Sequence, residues 1–259
     1  MGPRVRLFGI DIDALDRKQA LAEIGNWLRM ESRNCRYVVT PNVDHVVKLS
    51  QSADFHSAYE GAALVLADGR PVVAVSRWLG CPLPETVPGS DLTPGLMADA
   101  QMQQYPLTVY LLGAAPGVAE RAAAVIHARW PLIRVVGTNS PPMGFEKNDE
   151  QCRAICRDIS ESGAELLIIG LGAPKQELWV HRHAAQLSVK VALCVGATID
   201  FLAGEKKRAP VWVQRIGLEW MHRMLSEPRR LAGRYWHDMR IFPLLVLREY
   251  SIRKQRQPQ

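Results

Sequence analysis

Short apolar runs alternate with helical patterns along most of this chain, and this alternation restricts the possible folds more than any other feature. Each run has the length of a buried strand, and segments with the periodicity of helices separate the runs. Strands and helices in this order form a parallel sheet that helices cover on both faces. The sequence therefore predicts an α/β, Rossmann-like fold with a largely parallel sheet. The predicted strands are Val5–Ile12, Arg36–Thr40, Leu64–Ala67, Leu107–Leu112, Arg134–Thr138, Leu166–Ile169 and Val189–Val195. The predicted helices include Arg17–Arg29, Asn42–Ser50, Asp54–Gly61, Arg70–Leu79, Asp91–Gln103, Gly117–Trp130 and Asp149–Ser162.

The pattern changes near Gly204, and the charge changes with it. From Glu205 onward there are thirteen Lys or Arg against five Asp or Glu, whereas all 259 residues together carry +6. We therefore divide the chain into an α/β catalytic domain over residues 1–204 and a basic, amphipathic helical appendage over residues 205–259, which includes a helical run from Trp212 to Leu225. Such an appendage favours a phosphate-rich partner, namely anionic lipid, a nucleotide or nucleic acid.

Composition limits the class of protein. Hydrophobic residues make up 47% of the chain and charged residues 22%, which suits a globular protein with a sizeable core. No segment approaches the ~20 apolar residues of a membrane span, and the N-terminal segment around Arg4 and Arg6 lacks the apolar region of a secretory signal. The five cysteines are scattered without metal-ligand spacing, which is typical of a reduced, cytosolic protein.

Asp68 is the first candidate for chemistry, because it follows the predicted strand Leu64–Ala67 directly. In a parallel α/β sheet, ligands bind at the carboxyl ends of the strands. Asp68-Gly69 is also an ordinary turn sequence, and the functional interpretation is favoured because other strand ends carry similar segments. One of them is Thr40-Pro41-Asn42, whose hydroxyl and amide can orient a polyhydroxylated ligand, although both residue types are also common helix caps.

Two glycine-containing turns lead from a predicted strand into a predicted helix. In the first, Leu112–Gly117, Gly113 permits close approach of a ligand and the helix N-terminus offers amides to a phosphate. It is not a complete dinucleotide fingerprint, and a routine turn explains it equally well.

The second turn, Ile168–Glu177, is more specific. It contains Gly170 and Gly172 and then presents Lys175, Gln176 and Glu177 at a helix start. The lysine can meet a phosphate and the glutamine can hold a sugar or base hydroxyl. The alternative is an ordinary solvated first turn that follows Pro174.

Other types of site receive little support. Asp11 and Asp13 lie on one face of a predicted strand and can reach one metal ion, but polar residues that close a strand explain them better. His181 and His183 point in different directions on a predicted helix, and no serine lies in a nucleophile-elbow pattern. No metal or other cofactor is therefore expected.

Taken together, these segments resemble the bacterial WecG/TagA/CpsF glycosyltransferase family over roughly residues 5 to 236. The ordered series is far more specific than any one of its members. It consists of Thr40-Pro41-Asn42, Ala67-Asp68-Gly69, Gly89-Ser90-Asp91-Leu92, Leu111–Gly117, Gly170–Trp179, Val195–Asp200, Arg208-Ala209-Pro210, Gly217-Leu218-Glu219-Trp220 and Glu227-Pro228-Arg229-Arg230.

The resemblance implies an inverting hexosyltransferase that moves a sugar from a UDP-sugar to an undecaprenyl-diphosphate-linked saccharide in bacterial cell-surface polysaccharide synthesis. By motif match, Asp68 corresponds to the catalytic base, and Thr40, Asn42 and Gln176 correspond to pocket residues. C-terminal arginines are expected near the nucleotide diphosphate. One departure is Thr86, where many relatives carry an arginine, and another is Phe145-Glu146, which replaces an aromatic pair.

From these residues we expect a metal-independent reaction in which cations and helix N-termini stabilise the departing UDP. The cations are Lys175, Arg208, Arg223 and Arg229. Apolar residues among the arginines of the appendage, such as Trp236, Phe242 and Leu245, suit an interfacial helix. This predicts a peripheral protein on the inner face of the cytoplasmic membrane, unless the segment packs on the body or on another copy of the chain.

Two alternatives remain open at this stage. Another nucleotide-sugar-processing enzyme, such as an epimerase, also needs an α/β nucleotide site, but it normally has a fuller glycine fingerprint. A nucleic-acid-binding protein can use the basic appendage, but the chain has no recognition motif for DNA or RNA. The sequence leaves the donor sugar, the acceptor saccharide and the oligomeric state undetermined.

Overall fold

The computed structural model describes residues 2–210, 212–213 and 218–256 as an α/β body with C-terminal helices. The strands are β1 (Arg4–Leu7), β2 (Ile10–Asp13), β3 (Arg36–Val39), β4 (Leu64–Val65), β5 (Leu107–Gly113), β6 (Ile133–Asn139), β7 (Leu166–Gly170) and β8 (Val191–Cys194). The helices of the body are α1 (Arg17–Arg29), α2 (Val43–Leu49), α3 (Ala53–Glu60), α4 (Arg70–Trp78), α5 (Gly89–Met102), α6 (Val118–Arg129), α7 (Asp149–Glu161), α8 (Lys175–His183) and α9 (Thr198–Leu202). They are followed by α10 (Glu219–Ser226) and α11 (Pro228–Arg256), and short 3-10 turns lie at Phe145–Lys147 and Ala184–Gln186.

Six strands form one parallel sheet in the order β4-β3-β8-β7-β5-β6. Each central strand supplies side chains to two apolar layers, because successive residues of a strand point to opposite faces. In β5, Val109 and Leu111 belong to the layer with α1, α5 and α6, whereas Tyr110 and Leu112 belong to the layer with α2, α3, α7 and α8. The predicted α/β fold, with helices on both faces of a parallel sheet, is confirmed.

The prediction of a single first strand over Val5–Ile12 is wrong. The segment forms an antiparallel hairpin of β1 and β2, which lies outside the six-stranded sheet. Phe8 and Gly9 at its turn have φ values of 53° and 82°, the left-handed values that a tight two-residue hairpin turn requires. Phenylalanine rarely adopts this conformation, and the apolar pattern runs on through the turn, so the pattern hides it.

The appendage contains one long helix that packs along the body. The ring centroids of Phe242 on α11 and Phe8 in the hairpin are 5.6 Å apart, and the Tyr250 ring stacks on Trp78 at 5.2 Å. The backbone N–H of Phe8 also donates to Glu249 at 3.2 Å. Part of the predicted helical run from Trp212 to Leu225 lies outside the described residues, and the boundary at residue 204 stays a prediction. In the part of the chain that the structure describes, no helix has the length and apolar character needed to cross a bilayer.

Charged side chains also join α11 to α2. Arg234 Nη1 lies 3.9 Å from Asp44 Oδ2, and Lys48 donates to the same carboxylate. Asp238 is 3% exposed, and neither of its carboxyl oxygens has a hydrogen-bond partner among the described residues. Burial, together with the neighbouring Asp44, raises the pKa of Asp238 to about 6. This interface therefore favours the neutral form of the Asp238 carboxyl group.

Candidate active site

The parallel sheet brings most of the predicted site residues to one edge, because all six of its strands end there. The residues that follow or end a strand at this edge are Thr40 and Asn42 after β3, Asp68 after β4, Gly113 in β5, Gly170 in β7, and Gly172, Lys175, Gln176 and Glu177 between β7 and α8. Arg208 and Arg223 come from beyond residue 204 and act electrostatically on Asp68. Arg229 is exposed near the start of α11, and no described contact joins it to this group.

Gly113 and Gly170 let the ends of three neighbouring strands approach closely. A Cβ atom on Gly113 would lie 2.6 Å from the carbonyl carbon of Gly170, and one on Gly170 would lie 2.9 Å from the carbonyl oxygen of Gly196. Gly113 also has a φ of 112°, which side chains disfavour. These two glycines are therefore required by the packing of β5, β7 and β8, and their contact with a substrate stays a prediction.

Thr40, Asn42 and Asp68 converge through their backbones. The N–H of Asp68 donates to the carbonyl of Pro41 at 2.9 Å, which fixes the end of β4 beside the end of β3. Asn42 caps α2 by accepting the N–H of His45 at 3.2 Å, and Thr40 is buried beside it. The structure thus shows a capping role for Asn42, and a substrate contact of Thr40 or Asn42 stays a prediction.

Asp68 has an unusual electrostatic environment for a carboxyl group. It is half-buried, and its pKa is raised to about 7, chiefly by burial and also by Glu219 and Asp91, against the lowering effect of Arg223 and Arg208. Near neutral pH both forms of the carboxyl are therefore populated. A carboxylate with a pKa near the working pH is well suited to accept a proton from a hydroxyl group.

Arg208 is held between two carboxylates from different parts of the chain. Its Nη1 donates to Asp91 Oδ1 at 2.5 Å, and its Nε lies 3.7 Å from Glu219 Oε1. Arg223 lies one helical turn after Glu219 on α10, with its guanidinium carbon 5.9 Å from the ring centroid of Phe201. The result is a cluster of three acids and two arginines around the end of β4.

Lys175 is also engaged with neighbouring side chains. Its Nζ lies 3.4 Å from Glu146 Oε2 and 6.0 Å from the centroid of the Phe145 ring. Both partners come from the 3-10 turn Phe145–Lys147. A phosphate that binds Lys175 has to compete with Glu146.

Gln176 and Glu177 point into the protein. They are 2% and 0% exposed, although the start of a helix after Pro174 allowed them to be an ordinary solvated turn. Gln176 Oε1 accepts the backbone N–H groups of Gly172 and Gly196, each at 3.2 Å, and Gln176 Nε2 donates to Glu177 Oε1 at 2.7 Å. Direct contact of these two side chains with a substrate stays a prediction.

The contributions of Asp91 and Glu219 to the site were missed in the sequence. Both lie in segments that match the family, although Gly217 of the second segment is outside the described residues. The sequence gives no sign that both acids pair with Arg208, because Arg208 and Asp91 are 117 positions apart.

Asp11 and Asp13 each pair with a different arginine across the hairpin. Arg6 Nη1 donates to Asp11 at 3.0 Å, and Arg4 Nε donates to Asp13 at 2.9 Å. Asp13 also accepts the N–H of Val65 at 2.9 Å, so this buried carboxylate ties the hairpin to β4. Among residues 2–210, 212–213 and 218–256, no group of three or more His, Cys, Asp or Glu side chains is arranged to hold a metal ion.

Helix α11 presents a second feature, an exposed face with apolar and basic residues. Of the apolar residues of this helix, Phe242 and Leu245 pack against the core of the body. Five others are exposed, with Trp236 at 63% and Leu244 at 62%. Tyr250 stacks on Trp78, and the other four are Trp236, Met239, Leu244 and Leu247. Arg229, Arg240, Arg248 and Lys254 are exposed on the same helix. We call the exposed residues Trp236, Met239, Leu244 and Leu247 with these four cations the α11 outer face.

Comparison with known proteins extends the resemblance to nearly the whole chain. The model of the Glycosyl transferase WecG/TagA/CpsF family matches residues 5–257. Relatives from Staphylococcus aureus strains MRSA252, MW2 and NCTC 8325 / PS 47 are each 29% identical over 233 residues, covering 88% of this chain and 87% of the relative. Each is named N-acetylglucosaminyldiphosphoundecaprenol N-acetyl-beta-D-mannosaminyltransferase.

Proposed function

The chain belongs to the WecG/TagA/CpsF family and is a glycosyltransferase of the hexosyltransferase type, and from that premise we propose a specific reaction for it. In this reaction a sugar moves, with inversion, from a UDP-sugar to an undecaprenyl-diphosphate-linked saccharide during synthesis of a bacterial cell-surface polysaccharide. The staphylococcal relatives are named for an N-acetylmannosaminyl group and an N-acetylglucosaminyl-diphosphoundecaprenol acceptor. UDP-N-acetylmannosamine and that acceptor are therefore the first pair to test.

Asp68 supports this proposal most directly. In the proposed step, a hydroxyl oxygen of the acceptor forms a bond to the anomeric carbon as the bond from that carbon to UDP breaks. The hydroxyl proton passes to the Asp68 carboxylate, and UDP leaves with the bonding electron pair. General-base assistance of this kind contributes about 10²- to 10⁴-fold to the rate.

The departing UDP carries negative charge that the protein has to stabilise. Arg208 and Arg223 lie close enough to Asp68 to lower its pKa. Lys175 is the first residue of α8 and lies at the same edge of the sheet. We assign these cations to the diphosphate, with Arg208 in the place of the arginine that many relatives carry at position 86. Its bond to Asp91, five positions after Thr86, places it beside that segment. Arg229 is a further candidate for the same role.

UDP release from a panel of UDP-sugars tests the reaction, with a synthetic diphospholipid-linked N-acetylglucosamine as acceptor and with or without EDTA. We expect acceptor-dependent release that survives EDTA, and we expect Asp68→Asn to bind UDP but to lose about 10²-fold or more of the rate. Glu161→Gln is the matched control, since Glu161 is an exposed acid at the end of α7, far from the carboxyl edge. Wild-type turnover by Asp68→Asn would contradict the base assignment, and loss of release with EDTA would contradict metal independence.

The α11 outer face supports a second part of the proposal, reversible docking on an anionic membrane. An acceptor with an undecaprenyl chain resides in the bilayer, so the enzyme has to reach the membrane surface. Each basic residue near anionic lipid contributes about 1 kcal/mol, and exposed aromatic and aliphatic side chains insert at the headgroup level. We place the protein at the inner face of the cytoplasmic membrane on this basis.

Sedimentation with phosphatidylglycerol-containing vesicles tests the docking. Trp236→Ser combined with Leu247→Ser should lower the bound fraction several-fold without unfolding the protein, because both side chains are exposed. Met143→Ser is the control, since Met143 is 92% exposed in a loop outside α11. Undiminished binding of the double variant would contradict docking through this face, and equal binding to DNA would favour the nucleic-acid alternative.

A further inference from the structure

The loops after β7 and β8 are tied together by a single side-chain oxygen. Gln176 Oε1 accepts the N–H of Gly172 from the first loop and the N–H of Gly196 from the second, each at 3.2 Å. A carbonyl oxygen has two lone pairs, so this arrangement uses its full accepting capacity. The two loops occupy the middle of the carboxyl edge, since β7 and β8 are the central strands of the sheet.

This bond pattern depends on which way the Gln176 amide is turned. The oxygen and the NH₂ group of an amide are nearly equal in size, so packing alone does not select between the two orientations. In the reverse orientation, the NH₂ group would face two backbone N–H donors, and Gly172 and Gly196 would both lose their acceptor. The two N–H groups therefore favour the observed orientation, and a group that accepts a hydrogen bond from Nε2 in that orientation would strengthen the preference.

Glu177 is that group. Its Oε1 accepts the N–H of Gln176 Nε2 at 2.7 Å, and in its ionised form the carboxylate only accepts hydrogen bonds, so it does not favour the reverse orientation. Glu177 is 0% exposed, and its second oxygen has no hydrogen-bond partner among the described residues. Burial raises the pKa of this carboxyl to about 7, and Oε1 remains an acceptor if the proton resides on Oε2. Burial of an acidic side chain lowers the stability of the folded protein unless the side chain is hydrogen-bonded. The bond to Gln176 is therefore the interaction that this buried position provides.

We propose that Glu177 is a positioning residue for the transfer reaction, which fixes the Gln176 amide so that its oxygen holds the loops of Gly172 and Gly196 in one arrangement. The link to transfer rests on the function proposed above. The loop of Gly172 leads directly to Lys175, and the loop of Gly196 contacts Gly170. Release of both amides would therefore change the centre of the site without removing any group that touches the substrate.

Two substitutions separate the hydrogen bond from the space that the side chain fills. Glu177→Gln keeps an acceptor oxygen within reach of Gln176 Nε2, whereas Glu177→Leu fills the space and removes the acceptor. Val180→Ala is a control for general damage to the core, since Val180 is fully buried on the same helix. Each variant is examined by NMR of the glycine amides. Carbonyl labelling of leucine and valine selects the glycines that follow these residues, and backbone assignment then distinguishes Gly172 and Gly196 from Gly80, Gly113 and Gly137.

We expect Glu177→Leu to shift the amide resonances of Gly172 and Gly196 and to lower kcat/KM for the donor about tenfold or more, which corresponds to loss of one or two hydrogen bonds. Glu177→Gln should leave both resonances near their wild-type positions and retain kcat/KM within about threefold. Val180→Ala should lower Tm without moving either resonance.

Unmoved resonances in Glu177→Leu would overturn the proposal, and so would shifted resonances in Glu177→Gln. If Glu177→Leu does not fold, the Glu177→Gln spectrum decides by itself. The NMR measurement needs no substrate, so it tests the positioning role even if the wild-type protein transfers no sugar from any donor.

Discussion

Glu219→Gln and Arg223→Gln are expected to move the acid limb of the transfer rate in opposite directions. A general base acts only in its ionised form, so kcat/KM should fall as the pH drops through the pKa of Asp68 in the free enzyme. Burial and the surrounding charges raise that pKa to about 7, and Glu219 and Arg223 act on it with opposite sign. Removal of the acid should lower the pKa of Asp68, and removal of the arginine should raise it.

The size of the effect follows from the charges. With a pKa of about 7, about one tenth of Asp68 is ionised at about pH 6, so the wild-type kcat/KM there should be about tenfold below its plateau. Two unit charges about 4 Å apart interact by about 1 kcal/mol in water and by about 4 kcal/mol near a protein surface, so removal of one neighbouring charge should move the pKa of Asp68 by on the order of one unit. Relative to the plateau of the same variant, kcat/KM at about pH 6 should therefore be several-fold higher in Glu219→Gln than in the wild type. In Arg223→Gln it should be lower by a similar factor.

The assay is UDP release at low donor concentration across the range from about pH 5.5 to about pH 9. Arg223→Gln should also lower the plateau, because Arg223 is assigned to the diphosphate, but the position of the limb is measured independently of the plateau. Glu205→Gln is the matched control, since Glu205 pairs with Arg121 at 2.5 Å and is not among the charges that shift Asp68. Limbs that move in the same direction, or that stay in place in both variants, would refute Asp68 as the titrating base.

Three further predictions concern stability and binding. Asp238→Asn should raise Tm at about pH 8 but not at about pH 4, because a carboxyl whose pKa is raised from 3.8 to about 6 loses stability as the pH rises through that window, by about 3 kcal/mol at most; equal Tm changes at both pH values would contradict this. Gly113→Ala should cost about 2 kcal/mol or more of unfolding free energy, and Gly80→Ala only about 1 kcal/mol, since both have positive φ but only the first alanine would meet backbone atoms. Denaturant unfolding measures the free energy of unfolding of both variants. Equal losses in Gly113→Ala and Gly80→Ala would show that β5 and β7 move apart easily to make room for the added Cβ atom. Glu146→Gln should tighten UDP binding by up to about fivefold, because it releases Lys175 from an ion pair; calorimetry with UDP measures this, and weaker binding would contradict the assignment of Lys175.

The fold could be predicted from the sequence because most of its determinants are local. β5 and β7 are almost continuously apolar, as strands covered on both faces must be, and helices of regular periodicity separate them. The hairpin could not be predicted, because the left-handed turn at Phe8 and Gly9 interrupts neither the apolar pattern nor the charge pattern.

The position of Asp68 at the sheet edge was predictable for the same reason, since parallel strands end together. Its neighbours were not. The pairing of Arg208 with Asp91 and Glu219 joins distant segments, and no periodicity encodes it. The inward direction of Gln176 and Glu177 was hidden as well, because polar residues in a first helical turn usually face solvent. The Gln176 oxygen accepts from the backbone N–H groups of two glycines, and a backbone N–H group leaves no mark in the sequence because nearly every residue has one.

The charges around Asp68 come from both parts of the chain, and this gives the appendage a role beyond that of a surface. Asp91 lies on α5 in the body and raises the pKa of Asp68, as does burial. Both cations that oppose them, Arg208 and Arg223, come from beyond residue 204, as does Glu219. Without the appendage, Asp68 would lose Arg208 and Arg223, the two cations that lower its pKa, and less of its carboxyl group would be ionised at neutral pH. In the proposed reaction, the ionised base and the stabilised diphosphate would depend on the same two arginines, so proton acceptance and departure of UDP would be linked through the docking of one C-terminal segment.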